Sequence, residues 1–289
     1  MTPRVTIVVI HWNDATRFAE ALDYLEHSSA PMRLIVVDND STETEVAQLS
    51  HLLDTTPIDT TLLTPGANLG FGPGANHGIE HWLEHDTTEW VGVMPHDAQV
   101  APDTLATMLD VVDRRPEVGL ACADVGDGCT PVIDPFLGGL VLPSTITEGW
   151  EPAAYPHGTL MLGRRACIAE VGVFDERYFA YVEEADLGIR AIARGWEIGI
   201  VRGAMVHNPF MGPGQAARDY LQQRNTMLLV REHSGWWPGV FRLWLTGAQL
   251  LQGLVRPGVR PPMYVAKARA YALAHHLQRR YGPPPSHLY

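Results

Sequence analysis

Short apolar runs alternate with segments of helical period along the first half of the chain. Residues 6–10 form a continuous, mostly β-branched run, which is typical of a strand covered by helices on both faces. In residues 14–27 the apolar side chains Phe18, Leu22 and Leu25 recur at helical spacing, and residues 33–37 form a second apolar run. This order predicts an α/β fold with a mostly parallel sheet flanked by helices.

The alternation continues further along the chain and then loosens. The next predicted elements are a helix at 42–53 with Ser41 as its N-cap, a weak strand at 62–63, a glycine-rich loop at 66–74, a helix at 75–85, a strand at 90–94 and a helix at 102–114. Beyond residue 118, glycine- and proline-rich connections lead to an apolar run at 159–162 and to a helix that begins near Glu183. We therefore expect the second half to supply the other wall of a cleft.

The composition is that of a globular protein that does not cross a membrane. The 289 residues are 46% hydrophobic and 19% charged, and no apolar stretch approaches the roughly 20 residues that a spanning helix needs. The N-terminus runs directly into the first strand, so we predict no signal peptide. The three cysteines, Cys122, Cys129 and Cys167, have no metal-binding spacing, and we expect a reducing, cytoplasmic location.

The C-terminal segment, residues 233–289, differs from the rest of the chain in charge. The chain has a formal net charge of −12, yet residues 224–289 hold nine basic residues against the single acid Glu232. Trp236, Trp237 and Trp244 are interleaved with these basic residues. Two interpretations stay open: the segment lies on an anionic membrane surface, or it packs as a helical lid or a homodimer face. The acidic body gives no indication of nucleic-acid binding.

Asp38 and Asp97 each lie just beyond the end of a predicted strand. In open α/β sheets ligands bind outside the carboxyl ends of the strands, so both carboxylates are candidates for one ligand site. A carboxylate there can accept hydrogen bonds from a base or a ribose. The alternative is an ordinary loop in which Asp40 or Ser41 caps the following helix.

The glycine-rich stretch from Asn68 to Asn76 allows the backbone to approach a phosphate closely. It also opens a helix, whose N-terminus favours anions. A plain loop explains the same glycines, since turn chemistry alone requires them. This stretch is weak evidence by itself.

Pro95-His96-Asp97 places one imidazole and one carboxylate directly after a strand. Both are acceptable ligands for Mg²⁺ or Mn²⁺ on a diphosphate, which itself fills most of the coordination shell. A partner such as His207 can come from the far half of the chain. The alternative makes Asp97 a turn residue and His207 a core histidine.

An acidic cluster, Glu183, Glu184 and Asp186, lies at a predicted helix start. The helix dipole stabilises first-turn carboxylates, and Asp186 can pair with Arg190 four residues on. That account explains Glu183 and Glu184 less completely, because aromatic residues precede them and suggest a cleft wall. A carboxylate of raised pKa there can act as a general base.

A competing motif, His77-Gly-Ile-Glu80-His81, matches the H-x-x-E-H pattern of inverted zinc peptidases, with His85 one turn further. Two histidines four residues apart on a helix can bind Zn²⁺, although a solvated helix face shows the same residues. Dehydrogenases and methyltransferases are disfavoured, because they need glycines after the first strand and residues 10–14 contain none. A nucleotidyltransferase stays possible, but would more often show a basic, glycine-rich N-terminal loop.

Taken together, these segments resemble the family 2 inverting glycosyltransferases of the GT-A fold, particularly their bacterial rhamnosyltransferase-like branch. The similarity spans nearly the whole chain and rests on the order and spacing of many blocks. These blocks are residues 6–13, 37–41, 68–78, 158–165, 172–190, 206–207 and 223–225. The resemblance implies a GT-A domain at 1–232, with a nucleotide-binding half at about 1–115 and an acceptor half at about 116–232, followed by the C-terminal segment.

The resemblance also implies roles for individual residues. Asp38 would hold the nucleotide base, Asp97 would bind the metal with His207, and Glu184 would be the catalytic base. The remaining nucleotide-sugar residues would be Asn13, Asn39, Asn68, Gly70, Asn76 and His96, and the acceptor residues would be His157, Glu183 and Asp186. Two departures stand out. Pro95-His96-Asp97 replaces the family's usual Asn-Pro-Asp, and Glu184 is one methylene longer than the usual Asp.

The function implied by this resemblance is inverting transfer of a sugar, with rhamnose or another deoxysugar as a candidate. The donor would be dTDP-, UDP- or GDP-linked, and a divalent cation, Mg²⁺ or Mn²⁺, would assist. The acceptor hydroxyl would belong to a glycan, a lipid-linked intermediate or a small molecule. The alternatives are a zinc-dependent hydrolase using His77, Glu80 and His81, and a non-catalytic nucleotide-sugar-binding protein. We expect a cytoplasmic protein, with the inner face of the plasma membrane as a second location.

Overall fold

The computed structural model describes residues 2–209 and 214–288. The strands are β1 Val5–His11, β2 Met32–Asp38, β3 Asp59–Leu63, β4 Trp90–Pro95, β5 Gln99–Val100, β6 Val118–Asp124, β7 Cys129–Asp134, β8 Gly138–Pro143, β9 Gly149–Pro152, β10 Met161–Arg164 and β11 Glu197–His207. The α-helices are α1 Ala15–Glu26, α2 Glu43–Thr55, α3 Phe71–His85, α4 Thr104–Val112, α5 Arg165–Val171, α6 Glu183–Ile192, α7 Gln215–Ser234, α8 Trp236–Val255 and α9 Ala266–Leu277.

One mixed sheet forms the centre of the molecule. Within the described residues it holds nine strands, in the order β3-β2-β1-β4-β10-β6-β11-β5, with β9 pairing to β11. Strands β3, β2, β1 and β4 are parallel, whereas β10 runs antiparallel to both β4 and β6. The predicted α/β class with a mostly parallel sheet is confirmed.

The parallel strands are buried on both faces, as their continuous apolar runs predict. Every residue of β1 is buried, and two apolar clusters cover the two faces of the sheet. The register pairs His11 with Asp38 at the ends of β1 and β2, while β4 ends beside Ile10. The carboxyl ends of these strands therefore meet at one edge of the sheet.

Two local expectations from the sequence are wrong. The N-cap of α2 is Thr42, whose side chain accepts a hydrogen bond from Glu45 N–H, and not Ser41. Helix α3 begins at Phe71, four residues before the predicted start. Pro73 is tolerated there because first-turn N–H groups have no intrahelical acceptor. The predicted loop at 66–74 is therefore shorter than expected.

The second half of the chain completes the sheet and adds a helical layer. Strand β10 lies between β4 and β6, and β7 and β8 form a separate hairpin. Helix α7 packs on α8 and α9, and its apolar cluster includes Phe179 from the segment before α6. The division of the chain at residue 232 stays a prediction. Among the described residues, no helix combines the length and hydropathy required to span a bilayer.

Candidate functional site

A cleft of about 720 Å³ opens at the carboxyl ends of β1, β2 and β4. One wall comes from the loops after these strands, and the other comes from the segment before α6 and from α7. The predicted site residues that line it are Asn13, Asn39, Asn68, Gly70, His96, Asp97, His157, Glu183 and Glu184. The cleft thus joins residues that are far apart in the chain, and Asp97 and Glu184 share it as expected.

Asp97 lies on the wall formed by the first half of the chain. Its Oδ1 accepts a hydrogen bond of 3.1 Å from the Nδ2 of Asn208, which follows β11 and also lines the cleft. His207, the predicted metal partner, is exposed and lies opposite Gln99 where strand β11 pairs with β5. It is not among the residues that line the cleft. The side chain that reaches Asp97 is therefore that of the next residue.

His96 is held beside Asp97 by the end of β1. Its Nδ1 lies 3.1 Å from the Ile10 carbonyl oxygen, and its ring contacts the His11 ring with centroids 5.2 Å apart. Burial, followed by the neighbouring charge of His11, lowers the pKa of His96. A neutral imidazole can therefore face a ligand at neutral pH without adding charge.

Asp38 is not among the residues that line the cleft. It is buried, with Oδ1 2.8 Å from His11 Nδ1 and Oδ2 accepting a 3.1 Å hydrogen bond from Ser41 N–H. Burial opposes ionisation of Asp38, but the hydrogen bonds from His11 and Ser41 outweigh it and hold the pKa below its ordinary value. Asp38 is only 2% exposed, whereas Asn13 and Asn39 line the cleft, and the contact between Asp38 and a nucleotide base stays a prediction.

The glycine-rich stretch is fixed from both sides. Asn68 Oδ1 accepts from Gly70 N–H at 3.0 Å, and Asn39 Nδ2 donates to the Gly70 carbonyl at 2.8 Å. Gly70 has a φ of 90°, and an added Cβ would collide with the Phe179 backbone, so only glycine fits. Asn76 bonds both the N–H and the carbonyl of Phe174, each at 2.9 Å, and lies outside the cleft lining.

Glu183 and Glu184 begin α6 on the opposite wall. Glu183 is 1% exposed and its Oε2 has no hydrogen-bond partner within the described residues, whereas Glu184 is half-buried. Burial and then the charge of Glu184 raise the pKa of Glu183 well above its ordinary value. Burial also raises the pKa of Glu184, against backbone hydrogen bonds from its own N–H and from Val182 and Gly158.

The two other predicted acceptor residues differ in position. His157 lines the cleft, and burial lowers its pKa, so the ring is neutral at neutral pH. Asp186 is buried outside the lining, where its carboxylate accepts from Arg190 at 2.8 Å and lies 2.7 Å from His233 Nε2. The predicted pair of Asp186 and Arg190 is confirmed.

The residues of the zinc motif do not form a metal cluster. His77 and Glu80 are exposed on α3, and the His81 ring stacks on His85 with centroids 4.4 Å apart. Across residues 2–209 and 214–288, no group of three or more His, Cys, Asp or Glu side chains is arranged to hold a metal ion.

Comparison with known proteins identifies the fold and the reaction class. Residues 6–170 match the family model described as glycosyl transferase family 2. The chain belongs to glycosyltransferase family 2. It is a glycosyltransferase of the GT-A fold and is similar to rhamnosyltransferases, so the zinc-hydrolase alternative is wrong.

Three relatives illustrate this similarity. The N-acetylglucosaminyl-diphospho-decaprenol L-rhamnosyltransferase of Mycobacterium tuberculosis is 27% identical over 90% of this chain and 95% of its own length. The galactofuranosyltransferase GlfT1 of the same organism is 30% identical over 72% of this chain and 71% of its own. A mannosyltransferase from Pyrobaculum calidifontis, solved with GDP-Man and Mn²⁺, is 17% identical, has a TM-score of 0.61, and is matched over 97% of this chain and 87% of that one.

Some residues of the cleft had no signal in the sequence. Asn208, Arg218, Gln222 and Met263 line the cleft, and they come from the end of β11, from α7 and from the loop before α9. None lies in a recognisable local motif. The Gln-Arg-Asn block at 223–225 is adjacent to this wall and was the available pointer to α7.

Proposed function

We propose that this protein transfers a sugar from a nucleoside diphosphate to an acceptor hydroxyl with inversion of configuration. Glu184 removes the proton from the acceptor hydroxyl, which attacks the anomeric carbon as the diphosphate leaves from the opposite face. The observation that supports this mechanism is the placement of Asp97 and Glu184 in one cleft of about 720 Å³. A cleft of this size is typical of small-molecule sites.

The electrostatics of the cleft support Glu184 as the base. Burial raises its pKa toward the range in which a carboxylate takes a proton from a hydroxyl most effectively. A backbone hydrogen bond from Gly158 stabilises the charged form and orients it. An added Cβ at Gly158 would collide with Glu184 Oε1 and displace the carboxylate, so glycine at this position lets Glu184 keep its place.

Asp97 fits a divalent cation, Mg²⁺ or Mn²⁺, provided that the diphosphate completes the coordination shell. One of its oxygens accepts from Asn208, while a single carboxylate is a hard oxygen ligand suited to either ion. Such a cation would supply positive charge to the leaving diphosphate. Asn13, Asn39, Asn68, Gly70 and His96 would contact the remainder of the donor.

The proposed donor carries a deoxysugar such as rhamnose on dTDP, with UDP- and GDP-linked sugars as the other candidates. The proposed acceptor is a lipid-linked glycan, and a free glycan or a small molecule is the alternative. The choice of rhamnose and of a lipid-linked acceptor follows the mycobacterial relative, an N-acetylglucosaminyl-diphospho-decaprenol L-rhamnosyltransferase. His157 and Glu183 would bind the acceptor from the second wall, where both line the cleft.

A lipid-linked acceptor would also place the enzyme at the inner face of the plasma membrane. The basic C-terminal segment would then provide peripheral contact, and a homodimer through the same segment is the alternative. Its exposed tryptophans and its arginines are the features that support membrane contact.

A nucleotide panel tests the donor site directly. The melting temperature would be measured with dTDP, UDP and GDP, each with Mg²⁺, Mn²⁺ or EDTA, and then sugar transfer from the cognate donor would be followed. A nucleotide at 100 times its Kd adds about 2.7 kcal/mol, which corresponds to roughly two degrees or more in a chain of this size. Binding of a nucleotide sugar without transfer to any acceptor would favour the non-catalytic alternative instead.

A further inference from the structure

A second pocket, of about 390 Å³, lies among the C-terminal helices. Helix α7 contributes Gln223, α8 contributes Arg242, Gln249 and Gln252, and α9 contributes Arg269. All five polar side chains can donate hydrogen bonds. Gln222 lines the cleft and Gln223 lines this pocket, so the two sites lie on different faces of α7.

Arg242 is the unusual residue of this pocket. It is only 8% exposed, its Nη2 donates to Gln223 Oε1 at 3.3 Å, and its Nε has no partner within the described residues. In the same residues it takes part in no ion pair with a carboxylate. Burial, and then the charge of Arg269, lower its pKa to about 10, which still leaves the guanidinium charged at neutral pH.

The neighbouring carboxylate is already engaged. Asp219 accepts from Arg269 Nε through both oxygens, at 3.1 and 2.9 Å, and its Oδ2 also accepts from Val265 N–H at 2.8 Å. Arg260 adds positive charge nearby, because it lies in the chain between the lining residues Val259 and Pro261 and its Nε donates to the Gly253 carbonyl at 2.7 Å. The pocket therefore keeps an excess of positive charge.

We propose that this pocket binds a phosphate-type oxyanion with Arg242 as its principal contact. A buried guanidinium without a counter-charge is costly, and its planar set of N–H donors matches the geometry of phosphate oxygens. The amides of Gln223, Gln249 and Gln252 supply uncharged donors for the remaining oxygens. The anion is either a free phosphate or the phosphate ester of a lipid headgroup, and both present the same oxygens.

The first arm of the test uses inorganic phosphate as the probe. The melting temperatures of the wild type, Arg242→Met and the exposed control Arg256→Met would be measured in phosphate and in chloride of equal ionic strength. Phosphate should raise the melting temperature of the wild type and of the control by about two degrees or more. The melting temperature of Arg242→Met should not change with phosphate. Without phosphate, Arg242→Met should melt no lower than the wild type, because it removes an unpaired buried charge.

The second arm uses vesicles, and distinguishes a lipid source from free phosphate. If the anion is a lipid headgroup, Arg242→Met should bind less to phosphatidylglycerol vesicles in flotation than Arg256→Met does. Binding of the two variants to phosphatidylcholine vesicles should not differ. Should Arg242→Met fail to fold, Gln249→Leu and Gln252→Leu at more exposed positions give the same comparison. The proposal is overturned when neither the phosphate shift nor anionic-vesicle binding depends on these pocket residues.

Discussion

Glu183 and Glu184 are neighbours in the chain but occupy different electrostatic environments. Burial raises the pKa of Glu184, and backbone hydrogen bonds to its carboxylate oppose that rise. For Glu183, burial and then the charge of Glu184 both raise the pKa. Two carboxyls so close do not ionise independently, and the better-stabilised one loses its proton first. We therefore expect Glu184 to be ionised and Glu183 protonated at neutral pH.

This difference predicts opposite sensitivities to amide substitution. Glu184→Gln removes the base and should lower kcat by about two to four powers of ten, with nucleotide affinity little changed. Glu183→Gln imitates a protonated carboxyl and should lower kcat by less than about tenfold. Steady-state kinetics of both variants, with nucleotide binding measured separately, would check this. The reverse order of effects would assign the base to Glu183.

The same carboxyl predicts how stability depends on pH. Because the folded-state pKa of Glu183 is raised above its ordinary value of 4.5, the folded state holds more protons than the unfolded chain as pH rises through that interval. Stability from this residue is therefore present at low pH and lost toward the raised pKa. Glu183→Gln should gain melting temperature relative to the wild type as pH rises. A difference that is constant with pH would contradict the raised pKa.

At the residue scale, the sequence predicted that Asp97 and Glu184 share a cleft, but it did not predict which atoms meet there. Asp97 and Glu184 follow recognisable blocks, and the structure brings them into one cleft. The sequence could not show that the Asp38 carboxylate is covered by His11 and Ser41. Nor could it distinguish His207 from Asn208, since neighbouring residues of an extended chain point to opposite sides and only the fold shows which side faces the cleft.

At the element scale, α7 holds the backbone segment that presents the two glutamates. Phe179, Tyr181 and Val182 have φ angles of 65°, 67° and 78°, a region that non-glycine residues rarely adopt. Asn225 Nδ2 donates to the carbonyls of Tyr178, Ala180 and Tyr181 at 2.8, 2.9 and 2.7 Å. One fully buried amide thereby fixes the strained turn before α6.

Asn225→Leu keeps the branched shape of the side chain and removes these donors. Leaving buried carbonyls unpaired should reduce the free energy of unfolding by about 1–3 kcal/mol. Because the glutamates then lose their fixed position, kcat should fall by about tenfold or more, while KM for the donor changes little. Kinetics and chemical denaturation of the variant would measure both effects.

Thr226→Ala is the matched control for this change. Thr226 is the next residue of α7, and its Oγ1 donates within the helix to the Gln222 carbonyl at 2.7 Å. The Thr226→Ala variant should lose some stability but should keep the kcat of the wild type. If Asn225→Leu lost stability and kept kcat, Asn225 would support the fold without positioning the glutamates.

Elements were predictable where local and tertiary preferences agree. The buried strands β1, β2 and β4 follow their apolar runs closely, and α6 begins at Glu183 as expected. The start of α3 was missed because Gly72, Pro73 and Gly74 disfavour a helix locally. Packing against the sheet overrides that preference, since an added Cβ at Gly78 of the same helix would collide with Val8.

At the scale of the whole molecule, α8 leaves a large apolar face uncovered. Trp236, Trp244, Leu251 and Val255 are 75%, 65%, 63% and 78% exposed, and they recur at helical spacing opposite the buried Arg242. The ring of Phe241 lies against Phe136 of the β7–β8 connection, which extends the apolar surface onto the body. Apolar faces of this size mark an interface.

This surface predicts binding to anionic vesicles that depends on its tryptophans. Burying one large apolar side chain in a membrane contributes roughly 1.5–3 kcal/mol, so Trp244→Ser should weaken partition by about tenfold or more. Flotation with phosphatidylglycerol vesicles at low salt would measure it. Higher salt should weaken the binding of the wild type, because it screens the attraction between the basic residues near α8 and the anionic lipid.

Leu277→Ser is the control for Trp244→Ser, because Leu277 is 66% exposed but lies at the end of α9. Its partition should match that of the wild type. Equal losses in the two variants would mean that exposed apolar area in general, and not the α8 face, drives the contact. A protein that stays unbound at low salt and shows a dimer mass that Trp244→Ser reduces to that of a monomer would assign the α8 face to a second copy of the chain.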